Sequence, residues 1–368
     1  LWSRRQCVKP TMKSSRVSMP LLRRLASSGW RHPGFAPYWP LLRRLRDMAL
    51  ERAEDPTAAL SLGHEAAGRD AAPDEDDPST WDAEHWLPFM NRLAVWRGLR
   101  SVRGMPLRFV SGSDVGAVDY EFSILESGQV PCKPLGLGAR HDFHNALVWL
   151  RFPRLKAAIN WLHCQQAESE ALQAGDESGR VDAFSGQAIP GASAGQAERR
   201  GRGPLRDALT LLDENGALWP APAPEWVRML EGREWHTLFV ESRQALMGGV
   251  SELPTLRDDG RAGGALNLAS GAARKAPVIV GHGLLEKLHH PYKSMTAKLL
   301  PCPDPRYGLD RGTAARLCEL AGQQALRPAL LLPLPLQGWP GWDPANADPA
   351  FYADERIFRP LRPVALEG

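Results

Sequence analysis

Histidine, aspartate and asparagine crowd one stretch of this 368-residue sequence, His141-Asp142-Phe143-His144-Asn145. On a helix, residues three and four apart share a side. His141 and His144 therefore form a His-x-x-His pair suited to a divalent metal, with a third donor from elsewhere in the chain. His163, Asp213, His282 and the His289-His290 pair are available for that part. The same residues also suit a metal-free polar catalytic cluster, and Asp142 suits a plain helix N-cap. Sequence alone leaves the three readings open.

Two more segments carry polar groups at the ends of apolar runs. Asp207 to Leu212 reads as a strand that ends in Asp213-Glu214-Asn215-Gly216. In a strand, positions 207 and 213 share a face and stand ~20 Å apart at about 3.3 Å per residue. That distance excludes a direct acid/base pair between them, while Asp213 with Glu214 could bind a cation at the strand end. The plain alternative is a polar hairpin turn. Val278-Ile-Val-Gly-His282-Gly283 puts a histidine and glycine amides where a helix begins, a position for an anion, for a general base, or for an ordinary turn. No dinucleotide, Walker or nucleophile-elbow pattern occurs. Cys164 beside His163 is no thiol–imidazole pair, because adjacent helical residues point in different directions.

These residues need elements to position them. Trp86, Phe89, Leu93 and Trp96 recur at helical spacing and mark a core-facing helix. Asp119 to Gly128 alternates Tyr120, Phe122 and Ile124 and reads as a strand leaving through a Ser-Gly turn. A helix is expected over Asp142–Leu150, and a second one from Pro153 to about Cys164. Thr237–Val240 reads as a short strand, Val278–Val280 as a short apolar run before a helix, and 312–324 as a helix. The tail from Pro333 to Pro360 is too rich in proline for long regular structure. Its tryptophans either staple it to the core or offer a platform to a partner.

Composition bounds the rest. A hydrophobic share of 43% with 24% charged residues is that of a globular chain, and 34 Gly with 32 Pro imply many loops. No run of ~18 apolar residues exists to span a membrane. Five cysteines without a Cys-x-x-Cys pair argue for reduced thiols and a cytoplasmic location. The net charge of +3 conceals eleven Lys/Arg and no Asp/Glu in residues 1–46, which leaves −8 for the remainder. Such a start suits a transit peptide, a nucleic-acid-binding arm, short amphipathic helices, or a reading frame opened upstream of Met12 or Met19; the last is preferred here. Gln165–Gly203 and Pro254–Lys275 lack large apolar residues and read as flexible insertions.

Four motifs in order carry a resemblance: His141 to Lys156, Arg206 to Gly216, Gly281 to Leu288, and Pro340 to Asn346 with Phe351-Tyr352. Together they resemble the bacterial family catalogued as domain of unknown function 3025, over roughly Trp81 to Pro360. The resemblance implies a bacterial origin and one family-wide domain, with no activity, substrate or cofactor attached. It also implies that Asp142 and Asn145 belong to the family's helix-start pattern more securely than His144.

The expectation is an α+β protein: residues 1–80 a basic extension and polar linker, 81–360 a main domain with a small antiparallel or mixed sheet, and 361–368 a tail. Its function is expected to be that of a hydrolase-type enzyme, with a divalent metal as the cofactor in question. The site gathers His141, Asp142, Asn145, Asp213 and His282, with His141 and His144 as metal ligands. Asp142 or Asp213 acts as base or ligand, His282 as acid/base, and Asn145 orients the substrate. The alternative is a non-enzymatic module that binds protein or nucleic acid through the basic N-terminus.

Overall fold

A computed structural model of the chain describes residues 15–53, 80–112, 119–178, 203–220, 222–247, 276–302 and 308–361. The acidic run Asp74–Asp77 and the Pro254–Lys275 stretch lie outside the described residues. Helices α1 (Ser15–Ala26), α2 (Trp39–Leu50) and α3 (Leu87–Arg97) precede a two-stranded parallel ladder, β1 (Arg108–Ser111) on β2 (Gln129–Cys132). Two central helices follow, α4 (Gly136–Arg151) and α5 (Pro153–Ser178). Helix α6 (Pro204–Asn215) runs directly into β3 (Gly216–Pro220), and α7 (Pro224–Glu231) comes next. Then come β4 (Val278–Ile279), α8 (His282–Lys287), β5 (Thr296–Cys302), α9 (Leu309–Gly322) and β6 (Leu332–Pro335).

The larger sheet has the order β4-β3-β5-β6, with β3 and β5 parallel and both outer pairs antiparallel. The fold is therefore α+β with a small mixed sheet. All five residues of β3 are buried, as the central apolar run Ala217-Leu218-Trp219 requires. Strand β6 tolerates Pro333 and Pro335 because it lies at the sheet edge, where one side of the strand makes no ladder bonds.

Three expected strands are helical. Asp207–Leu212 belongs to α6, where Pro204 occupies the first turn and Ala208, Leu209 and Leu212 form the buried stripe. A helix rises ~1.5 Å per residue, so the ~20 Å separation of Asp207 and Asp213 does not apply. Asp119 caps a helical turn by accepting the Glu121 and Phe122 amides, and this local bond overrides the apolar alternation after it. That turn widens to a π-helical one over Ser123–Ser127 and ends at Gly128, whose φ of 71° suits glycine. Thr237–Glu241 likewise forms a π-helical turn. Helix α5 runs on through the first part of the expected insertion, since Ala, Gln, Glu and Leu are good helix formers; residues 179–202 lie outside the described residues.

Within the basic N-terminal segment, residues 19–50 pack into the core. Leu21, Leu22, Trp30, Phe35, Tyr38, Leu41, Leu45 and Met48 are all buried in the same cluster as α4 and the sheet, while Arg23, Arg43, Arg44 and Arg46 point to solvent. Of the expectations for these charges, amphipathic helices fit this pattern. The Tyr38 hydroxyl donates to the Ile279 carbonyl at 2.7 Å, and Arg151 donates to the Pro37 carbonyl at 2.9 Å. In the tail, Trp339 and Trp342 are buried and act as staples; Trp96, in contrast, is 58% exposed and leaves the stripe assigned to it.

Candidate metal centre

Helix α4 carries His141 in its second turn, and its start is set by close packing. Gly136 adopts φ 69°, and a side chain at Gly138 would collide with Lys133. Helix α6 delivers Asp213 and Glu214 in its last turn, where the helix dipole disfavours carboxylates. Cationic or metal partners must offset that cost. Helix α8 delivers His282 at its first position and Glu286 one turn later on the same side.

The glycines around His282 let α8 approach the α6–β3 corner. A Cβ at Gly281 would stand 2.3 Å from the Gly216 nitrogen, and one at Gly283 would stand 2.5 Å from Oε2 of Glu214. The amides of Val280 and Gly281 both donate to the Gly216 carbonyl, at 3.0 and 2.9 Å. Glycine on both sides of the histidine thus has a steric cause.

His141, Glu214 and His282 each bring one ligand atom within 4.8 Å of the others. Nε2 of His282 lies 3.4 Å from Oε1 of Glu214, and Nε2 of His141 lies 3.7 Å from the same oxygen. The two rings stand 4.5 Å apart. Zinc bonds of ~2.0–2.1 Å put tetrahedral ligand atoms roughly 3.3–3.5 Å apart, close to the two separations at Glu214, so these three residues could hold one such ion.

Each histidine is backed by a carboxylate at Nδ1. Oε2 of Glu286 lies 3.2 Å from Nδ1 of His141, and Oδ2 of Asp213 lies 3.7 Å from Nδ1 of His282. Behind the carboxylates stand cations: Arg140 Nε is 3.4 Å from Glu286, and Lys156 Nζ is 2.5 Å from Asp213. The Glu286 bond raises the His141 pKa against the opposing effect of burial. The His282 bond holds Glu214 below its usual range. Burial alone would raise Asp213, but Lys156 and His282 reverse it and keep the carboxylate ionised.

Of the residues singled out from sequence, His141, Asp213 and His282 meet here. Asp142 follows His141 on α4, but its Oδ2 accepts the Lys133 amide at 2.6 Å and braces the preceding loop. Asn145 donates to the Tyr120 hydroxyl at 2.9 Å. His144 does not join His141 as a ligand. It is fully buried, with Nδ1 2.8 Å from the Arg140 carbonyl and Nε2 3.0 Å from Nε2 of His289. A carbonyl only accepts, so His144 carries its proton on Nδ1 and His289 is the donor between the two rings. Trp30 stacks on His144 at 5.5 Å and meets His289 edge-on at 4.3 Å. Both nitrogens of His144 are consumed within the protein.

The sequence reading missed Glu286, Arg140 and Lys156, and treated Glu214 only as a cation binder at a strand end. A helical reading of 204–215 and attention to position i+4 from His282 would have found the two glutamates.

The sequence matches the family described as Protein of unknown function (DUF3025) over residues 107–185, 182–253 and 269–362. The chain belongs to this family. His141, Glu214, His282 and their four partners Glu286, Arg140, Asp213 and Lys156 all fall inside the matched DUF3025 segments, whereas residues 15–53, although packed in the core, precede them. No curated protein and no solved structure matches the chain.

Proposed function

We propose that this DUF3025 protein is a metal-assisted hydrolase, with His141, Glu214 and His282 holding one divalent cation. The observation that carries this reading is the convergence of two imidazole Nε2 atoms on one carboxylate oxygen, at 3.7 and 3.4 Å. Two histidines and one carboxylate with an open position form a donor set that suits zinc or a similar ion and can activate a bound water toward an ester, amide or phosphoester. Among the described residues no helix is long and apolar enough to cross a membrane, and Cys132, Cys164 and Cys318 are free thiols. The free thiols support a cytoplasmic location.

Elemental analysis of the purified chain after equilibration with Zn²⁺ tests the reading. About one ion per chain is expected, with most of it lost in His141→Ala, Glu214→Gln and His282→Ala, while His144→Gln retains it. An unaltered metal content in all three ligand variants, or no uptake by the natural chain, sinks the proposal. With the ion in place, a panel of esters, amides and phosphoesters identifies the scissile bond, and the ligand variants should lose activity in step with their metal.

A further inference from the structure

Each histidine of the proposed centre heads a line of three groups. His141, Glu286 and Arg140 form one; His282, Asp213 and Lys156 form the other. In both, a cation clamps the carboxylate that faces Nδ1 while Nε2 faces Glu214. The two lines come from different helices, since Arg140 lies on α4 and Lys156 on α5.

We infer that Lys156 and Asp213 form a buried positioning couple that fixes the tautomer and ring angle of His282, sending its N–H toward Asp213 and its bare Nε2 toward the ion. This inference rests on the metal-assisted reading and adds to it residues that touch neither the ion nor substrate. The Lys156 side chain is 5% exposed, and its Nζ meets one oxygen of Asp213 at 2.5 Å and lies 5.5 Å from the Trp149 ring centre. The other oxygen of Asp213 is left to face His282. Asp213 lies on the Nδ1 side of the ring, so it is not placed to be a ligand beside Nε2. Nδ1 of His282 is buried and has no hydrogen-bond partner at its present 3.7 Å from Asp213. A ring shift of about an ångström brings that gap to the ~2.9 Å of a good hydrogen bond. Coordination at Nε2 supplies the reason for the shift, because a metal-bound imidazole must carry its proton on Nδ1 and orient it on an acceptor.

Titration of the full-length chain with Co²⁺, read by its visible absorption, tests the couple. The natural chain is expected to bind one Co²⁺. Asp213→Asn and Lys156→Met should each weaken binding about 10–100-fold and change the band shape, while circular dichroism stays native. The double variant should be little worse than either single one, because both changes break one couple. Unchanged Co²⁺ affinity and spectrum in both single variants would overturn the couple and leave the metal centre standing. Should Asp213→Asn fail to fold, Asp213→Glu moves the acceptor by one methylene, and an unchanged Co²⁺ spectrum in that variant overturns the inference equally. Absence of Co²⁺ binding by the natural chain overturns both the centre and the couple.

Discussion

Glu121 is a carboxylic acid held largely away from water. Burial pushes its pKa from 4.5 to about 7, although Asn160 donates to its Oε2 at 2.6 Å and opposes the shift. A raised acid binds its proton more tightly in the folded chain than in the unfolded one. Its contribution to stability is therefore present below about pH 4.5 and is lost as the pH rises through about 7. Glu121→Gln imitates the protonated acid and should remove that loss. Urea unfolding at several pH values is expected to find the variant equal to the natural chain near pH 4 and ahead by on the order of 2–3 kcal/mol near pH 8. A pH-independent difference would refute the assignment. At this same scale the sequence showed the polar groups but not their company. His144 looked equivalent to His141 by spacing, yet Trp30, more than a hundred positions earlier, encloses it. No local pattern signals such a partner. Asp213 was selected for its type and Glu286 overlooked, because a carboxylate's value here depends on which ring nitrogen it faces.

The α6–β3 corner and the start of α8 are the elements that hold the proposed ligands Glu214 and His282, and their fit depends on backbone approach. At Gly281 an added methyl would meet the Gly216 and Asn215 nitrogens at 2.3 and 2.6 Å, and main chain has no rotamer by which to yield. Gly281→Ala should destabilise the protein by about 1–3 kcal/mol, the range for overpacking a close-fitted site. It should also displace His282 and weaken metal uptake; an unchanged thermal midpoint would contradict this packing. The helix at 142–150 and the one after Pro153 were legible from periodicity and punctuation, and so was the helix that starts after the apolar run 278–280. The strands expected at 119–128 and 207–212 were not, because short apolar runs fit both periods. A cap at Asp119 and a proline after Gly203 decided for helix. Sheet order was beyond reach, since β3 and β5 pair in parallel across an intervening β4 and α8.

At the scale of the whole molecule, residues 19–50 of the basic N-terminal segment are a structural part. Deletion of residues 1–50 removes Tyr38, Phe35 and Trp30 from a continuous core and exposes the back of α4 and β4. The truncated chain should lose cooperative unfolding altogether, where loss of a mere arm would leave the thermal transition in place. The charge count hid this, because arginines on the outer face of α1 and α2 dominate the composition while the leucines between them carry the packing.

The span between the site's donors has a kinetic consequence. His141 and Glu286 meet across 145 positions of chain, and Glu214 enters from between them. Contacts of such long range cost loop entropy that is repaid only late, after the helices they lie on have docked. An ion seated among them binds what forms after the folding barrier has been crossed. In stopped-flow measurements it should leave the refolding rate unchanged and slow unfolding, lengthening the lifetime of the native state instead of hastening its formation.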